Sequence, residues 1–434
     1  MSESSAAAGA SGAFGGWRRA TGIAGAAIGV VAAGAAATVA VERMTVGRNM
    51  RRKARLALDS AGPYGSLRGT PGRAYADDGT ELYYEIDEIA EADKADKADK
   101  ADEAAEADET DDLDPAAEAL SERRRRLFGL KAPAPVTVVF SHGYCLGQDS
   151  WHFQRAALRG VVRSVYWDQR SHGRSGRGVA QSRDGVPLTI DQLGRDLKAV
   201  LDAAAPEGPV VLVGHSMGGM TVMALAAQYP ELIRDRVVAT AFVGTSSGRL
   251  GEVNFGLPLA GVNAVRRVLP GVLKALGQRA ELVERGRRAT ADLFAGVIKR
   301  YSFAGRDIDP AVARFAERMI ESTPIDVVAE FYPAFTDHDK TEALALFARR
   351  PVLVLAGVQD LVTPSEHSEA IADLLPDAEL VLVPDAGHLV MLEHPEVVTD
   401  RLADLLTRAG AVPAGATVGE HGKASNASST AQRG

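Results

Sequence analysis

The sequence predicts an α/β fold, a mostly parallel sheet flanked by helices. Three observations carry that expectation. Short apolar, β-branched runs recur along the chain, as in Pro209-Val210-Val211-Leu212-Val213 and Pro351-Val352-Leu353-Val354-Leu355. Each run empties into a loop of Gly, Ser, Asp or His, and helix-like stretches lie between them. Strands buried on both faces read as such unbroken apolar runs, and their alternation with helical stretches signals parallel crossovers.

Taken in order, residues 1–60 form an N-terminal segment. Glu81-Leu82-Tyr83-Tyr84-Glu85-Ile86 reads as a strand after the Asp78-Gly79 turn. Residues 89–126 are low in complexity: Ala-Asp-Lys repeats, an acidic run, then Arg123 to Arg126. Such charge blocks favour a solvated, partly helical or disordered loop over an acidic docking insert. Val136-Thr137-Val138-Val139-Phe140 is a strand running into Ser141-His142-Gly143-Tyr144, and Ser164-Val165-Tyr166-Trp167 is another running into Asp168-Gln169-Arg170-Ser171-His172-Gly173-Arg174-Ser175. Between residues 249 and 348 the strand–helix rhythm stops. Residues 262–269, 280–300 and 310–320 read as helices, with Pro270-Gly271 as a breaker. Strands return at 351–357 and 379–383. The tail at 413–434 is small and polar and reads as disordered.

The chemistry concentrates in four of these loops. Gly214-His215-Ser216-Met217-Gly218-Gly219 follows a strand and precedes a helix-like stretch at 220–228. That is the context in which G-x-S-x-G lifts a serine out of the sheet on a sharp turn. Gly214 and Gly218 supply the room that strand and helix need to pass closely. A chain with 44 glycines carries a lone G-x-S-x-G easily, so the partners matter. A serine hydroxyl needs a base, and the base needs an orienting group. Asp360 sits just after the 351–357 strand, and His388 in Asp385-Ala386-Gly387-His388 after the 379–383 strand. The expected roles are Ser216 as nucleophile, His388 as general base and then acid, and Asp360 as the group orienting the imidazole. Asp385 competes with Asp360, and His367 and His394 lie near His388 in sequence. An oxyanion needs N–H donors already in place. The expected donors are the amides of Met217 and, from the loop after the 136–140 strand, Tyr144. His142 reads as a brace for that loop, and Cys145 as a small apolar residue.

These residues resemble the α/β-hydrolase superfamily, of the serine esterase, lipase and haloperoxidase-like type. The matching pieces are Ser141 to Tyr144, Asp168 to Ser175, Gly214 to Gly219, Gly357-Val358-Gln359-Asp360 and Ala386-Gly387-His388, in that family's order. The resemblance implies an α/β-hydrolase core at 75–248 and 349–408, and a helical cap at 249–348. Phe294, Phe303, Phe331, Tyr332 and Phe335 are candidates to line the space beneath the cap, or to pack it onto the core. The implied activity is hydrolysis of a carboxylic ester, or a related acyl bond, through an acyl-enzyme on Ser216. The same machinery serves thioesterases, lactonases, carbon–carbon hydrolases, acyltransferases and perhydrolases. No cofactor and no metal is implied. Asp337-His338-Asp339 lacks further ligands at metal-site spacing and reads as a solvated loop.

Composition narrows the partners. A net charge of −8 gives no nucleic-acid footprint, and a single cysteine excludes an internal disulfide framework. Residues 21–41 are uncharged and rich in Ala, Gly, Val and Ile, with Gly25 and Gly29 spaced as G-x-x-x-G. That length spans a bilayer. Arg43, Arg48, Arg51, Arg52, Lys53 and Arg55 follow it and predict a membrane anchor with the hydrolase domain on the cytoplasmic side. The competing expectations are an export signal, a flexible arm, or a noncatalytic tethered binding protein on the same scaffold.

Overall fold

A computed structural model describes residues 64–90, 134–253, 267–268, 271–272, 296, 298–305 and 308–412. The 21–41 anchor, the tail at 413–434 and most of the 89–126 insert lie outside the described residues, as does most of 262–269 and 280–300. Among the described residues no helix is long and apolar enough to cross a membrane.

The elements run β1 (Thr70–Tyr75), β2 (Glu81–Asp87), β3 (Thr137–Ser141), α1 (His152–Leu158), β4 (Arg163–Trp167), α2 (Val179–Asp184), α3 (Ile190–Ala204), β5 (Val210–His215) and α4 (Met217–Gln228). They continue with α5 (Pro230–Arg236), β6 (Val237–Val243), α6 (Pro310–Ser322), α7 (Ile325–Thr336), β7 (Val352–Gly357), α8 (Ser365–Leu374), β8 (Glu379–Val383), α9 (Val390–Glu393) and α10 (Pro395–Arg408). The strands form one sheet in the order β1-β2-β4-β3-β5-β6-β7-β8. β2 pairs antiparallel with both β1 and β4, and every pairing from β4 to β8 is parallel.

Strand alternation divides the core into two layers. Val138, Phe140, Val211, Val213, Leu353 and Leu355 face one side, against Trp151, Leu158, Leu402 and Leu405 around α1 and α10. Their neighbours Val139, Leu212, Phe242 and Val354 face the other, against Leu197, Val200 and Leu201 of α3 and Val222 and Met223 of α4. β3, β5 and β7 are buried at every residue, which is why their sequences lack polar alternation.

Two elements escape sequence reading. β1 begins at Thr70, upstream of the expected boundary at 75, and contains Pro71 and Gly72. An edge strand tolerates a proline that a central strand would not. α7 carries Pro333 in its interior, a residue that ordinarily argues against a helix. α6 is the more legible of the pair: Asp309 caps it by accepting from the Ala311 N–H at 2.7 Å, and Pro310 opens its first turn.

The chain order reverses beside β3, which lies between β4 and β5. Open α/β sheets form a crevice at such a reversal, at the carboxyl ends of the strands. The loops after β3 and β5 flank it. α7 packs across this end: Val327, Phe331 and Ala334 are buried against Met217, Met220 and Leu193.

Candidate active site

Ser216 follows β5 and precedes α4, with φ +51° and ψ −118°. A non-glycine residue holds such a conformation only when its surroundings enforce it. Here they do. The Ser216 N–H donates to the Val243 carbonyl at 2.9 Å, and the Ser216 carbonyl accepts from Thr245 Oγ1 at 2.7 Å. The flanking glycines are required by space. A Cβ on Gly214 would come within 2.6 Å of the Gly218 and Gly219 main chain, and one on Gly218 would collide with the Ser141 carbonyl.

His388 and Asp360 arrive from the loops after β8 and β7. His388 Nε2 lies 3.0 Å from Ser216 Oγ, and His388 Nδ1 lies 2.7 Å from Asp360 Oδ2. The carboxylate, which has no proton to give, fixes the tautomer: Nδ1–H donates to Asp360, leaving Nε2 to accept from the serine hydroxyl. Asp360 is 3% exposed, Ser216 6% and His388 9%. The other Asp360 oxygen accepts from the Val362 and Thr363 N–H groups at 2.7 and 2.9 Å. Asp385 is exposed, and its carbonyl accepts from His394. His367 pairs with Ser246 Oγ at 2.9 Å. None of these three joins Ser216.

Met217 is the first residue of α4, where an N–H has no partner within its own helix. Tyr144 lies on the loop after β3 and lines the same cavity as Ser216. Its hydroxyl donates to the Val328 carbonyl of α7 at 2.5 Å, and its ring stacks on Phe331. Two neutral imidazoles brace this loop. His142 Nδ1–H donates to the Gly143 carbonyl at 2.7 Å and Nε2 accepts from the Gln169 N–H at 2.9 Å. His172 Nδ1–H donates to the Arg170 carbonyl at 2.9 Å while Nε2 accepts from the Cys145 N–H at 3.1 Å. Burial pushes His142 down to about 4, and burial together with the neighbouring His142 pushes His172 down to about 3. Both rings are uncharged at neutral pH.

The cavity above Ser216 has a volume of about 600 Å³. Met220, Leu250, Ile298, Tyr301, Ile320, Tyr332, Phe335, Val362 and Leu389 supply most of its wall. Among the described residues lining it, none is a carboxylate, lysine or arginine. Of the five aromatic candidates, Tyr332 and Phe335 line the cavity, Phe303 and Phe331 are buried in the core, and Phe294 lies outside the described residues. The Asp337-His338-Asp339 loop is not wholly solvated. His338 is 3% exposed, and its Nε2 lies 2.9 Å from the Ser246 carbonyl. Among the described residues no cluster of side chains could hold a metal ion.

Thr363 was not legible as a site residue. Its hydroxyl lies 2.9 Å from Asp360 Oδ2, 2.8 Å from the Gly244 carbonyl and 3.3 Å from His388 Nδ1. His215, read in the sequence only as part of the Gly-His-Ser-Met-Gly run, also reaches the base: its Nε2–H donates to the His388 carbonyl at 2.9 Å. His215 ends β5 and Thr363 lies beyond Asp360 in the loop after β7, so neither is marked by its position in the sequence.

Residues 136–395 match the family model described as alpha/beta hydrolase fold. The chain is similar to the dihydrolipoyllysine-residue acetyltransferase component of the acetoin cleaving system of Pseudomonas putida, 25% identical over 68% of this chain and 70% of that protein. It is also similar to the sn-1-specific diacylglycerol lipase ABHD11 of Mus musculus, 28% identical over 58% of this chain and 75% of that protein. Among solved structures, the esterase RhEst1 from Rhodococcus sp. ECU1013 superposes with a TM-score of 0.54 at 19% identity, covering 79% of this chain and all of that one, a likeness of fold. With its sheet order and a family match covering more than half its length, this chain belongs to the alpha/beta hydrolase fold family.

Proposed function

We propose that this protein hydrolyses a carboxylic ester of a neutral, apolar acyl group through an acyl-enzyme on Ser216. The observation that carries the reading is the Ser216–His388–Asp360 chain, with links of 3.0 and 2.7 Å, opening on the apolar cavity of about 600 Å³. Ser216 Oγ attacks the ester carbonyl as His388 Nε2 takes its proton. The Met217 and Tyr144 amides receive the oxyanion. Collapse of the tetrahedral species breaks the bond to the alcohol, which leaves with the proton held by His388. Water then attacks the acyl carbon, giving its proton to His388, and the acid departs as Ser216 Oγ regains a proton. Asp360 holds the imidazole in the tautomer this requires.

The substrate class follows from the wall. A charged acyl group would be stripped of water with no counter-charge among the described lining residues, which is costly. An apolar one gains about 0.8 kcal/mol per buried methylene. The volume falls within the ~300–1,000 Å³ usual for small-molecule sites. In this reading residues 249–348, including α6 and α7, act as a cap that shapes the acyl pocket. The mouse relative named as a diacylglycerol lipase is consistent with an apolar acyl substrate.

The test is a panel of p-nitrophenyl and naphthyl esters from acetyl to dodecanoyl, with succinyl esters as the charged control. We expect hydrolysis of the neutral esters, loss of that activity in Ser216→Ala, and poor use of the succinyl ester. Equal rates for wild type and Ser216→Ala sink the assignment. Transfer of the acyl group to an acceptor other than water uses the same intermediate. The Pseudomonas putida relative's name favours including an added alcohol or thiol in the assay and measuring the acyl product. We carry the 21–41 segment as a membrane anchor within this proposal, on its uncharged composition. Membrane fractionation of the full chain against a chain lacking residues 1–60 decides it.

A further inference from the structure

The peptide groups around His388 are held from three directions. The His388 carbonyl accepts from His215 Nε2 at 2.9 Å, and the Leu389 N–H donates to the Ser302 carbonyl at 2.8 Å. The Gly387 N–H donates to Glu393 Oε2 at 2.7 Å. Glu393 also reaches a second segment. Its Oε1 accepts from the Gly305 N–H at 2.7 Å and from the Ala304 N–H at 3.0 Å. One carboxylate therefore gathers three main-chain donors, two from the 301–305 segment and one from the histidine loop. The two segments are in contact, because a Cβ on Gly387 would lie 2.8 Å from the Phe303 and Ala304 main chain. Tyr301 and Ser302, just upstream, line the apolar cavity together with His388.

We propose that Glu393 is a positioning residue that fastens the cavity wall at Tyr301 and Ser302 to the His388 loop. The placement of that wall over an acyl chain then sets the register of the general base on Ser216. This rests on the serine-hydrolase reading above. A carboxylate suits the task because it only accepts, and N–H bonds to an ionised acceptor are roughly twice as strong as neutral ones. Glutamine, of the same shape, cannot replace it. The Ala304 N–H also reaches Oε2, at 3.2 Å, so an amide oxygen keeps some of these donors, but in either orientation the NH₂ turns toward an N–H that needs an acceptor, Gly387 in one and Gly305 in the other. A side chain that merely stapled the fold would also lower stability when removed. It would not alter the rate of each molecule that still folds, nor couple that rate to acyl-chain selectivity. Glu393 acts on both because its two oxygens hold the two parts.

The experiment uses the full chain as wild type, Glu393→Gln and Glu393→Ala. Three quantities are measured: the folded fraction by thermal unfolding, the rate of fluorophosphonate labelling of Ser216 per folded molecule, and kcat and KM on p-nitrophenyl acetate and p-nitrophenyl decanoate. A small displacement of a catalytic group costs up to about 100-fold. We expect Glu393→Gln to unfold cooperatively, to label and turn over about 10- to 100-fold more slowly per folded molecule, and to show a raised ratio of decanoate to acetate KM. A folded Glu393→Gln that labels at the wild-type rate overturns the proposal. So does slowed turnover with an unchanged KM ratio, or a fall in stability alone. Glu393→Ala removes all three bonds and exceeds the Gln effect; should it fail to fold, the Gln variant decides alone. Wild type that neither labels nor hydrolyses any ester overturns the functional reading itself, and does so before any variant is compared.

Discussion

His388 Nε2 lies 3.0 Å from Ser216 Oγ, although 172 residues separate the two in sequence. The contact exists because β5 and β8 are parallel and deliver their following loops to the same end of the sheet. Ser216 adds a second condition, a positive φ of 51°, which turns its hydroxyl toward the histidine.

Replacing Ser216 with glycine relieves backbone strain of about 1–3 kcal/mol and forfeits a hydrogen bond of about 1 kcal/mol. Ser216→Gly is therefore expected to be at least as stable as wild type while losing ester turnover. Chemical denaturation and an ester assay check both halves. A clear loss of stability would contradict the strained-turn account.

Asp360 Oδ2 accepts from His388 at 2.7 Å, and Thr363 Oγ1, whose single proton is shared between Asp360 and the Gly244 carbonyl, lies 2.9 Å from the same oxygen. Asp360→Asn keeps the shape but loses the charge and invites the wrong tautomer, so kcat should fall about 10³- to 10⁴-fold with KM little changed. Thr363→Val removes one hydroxyl and should cost about tenfold in kcat, on the order of 1.4 kcal/mol. Steady-state kinetics distinguish the two. Equal and small effects would remove Asp360 from the proposed machinery.

The cavity wall sets chain length in this account. Ile320 lines the cavity from α6. Ile320→Trp fills part of the space and should move the preferred acyl group to shorter chains. Each methylene that no longer fits forfeits about 0.8 kcal/mol, a factor of about four in kcat/KM. An unchanged chain-length profile would place the acyl group elsewhere.

The buried imidazoles predict acid sensitivity. In the unfolded chain a histidine titrates near 6.5, whereas His142 is held down to about 4 and His172 to about 3 by burial. Between those values the unfolded chain binds protons that the native fold refuses, so lowering the pH favours unfolding. Their contribution is complete above about pH 6.5 and is lost as the pH falls through about 4 for His142 and about 3 for His172. His142 alone accounts for about 3 kcal/mol over that interval. Denaturant midpoints at pH 7, 5.5 and 4.5 should fall in that order. A flat series would mean these rings are solvated.

The residues legible from sequence are those announced by local chemistry. Ser216, Asp360 and His388 each stand just past a strong apolar strand, and Gly214 and Gly218 mark the close passage of strand and helix. Thr363, His215 and Glu393 gave no such signal, because each also meets a group from a distant segment: the Gly244 carbonyl, the His388 carbonyl and the Gly305 N–H respectively. β1 was hidden by Pro71 and Gly72, and α7 by Pro333. Tyr332 and Phe335 face the cavity while Phe331, one residue away from Tyr332, turns into the core. That division depends on the docking of α7, which no local pattern states. The ring of charged residues that fastens the loop after β4, such as Arg170 to Asp196 at 2.5 Å and to Asp78 at 3.0 Å, was likewise out of reach.

The most direct measurement is fluorophosphonate labelling of the full-length protein followed by peptide mapping, with Ser216→Ala and His388→Ala in parallel. We expect one stoichiometric adduct on Ser216 in wild type, none in Ser216→Ala, and labelling slowed at least about 100-fold in His388→Ala. Well-folded wild type that stays unlabelled, or an adduct on a different residue, would contradict an activated Ser216.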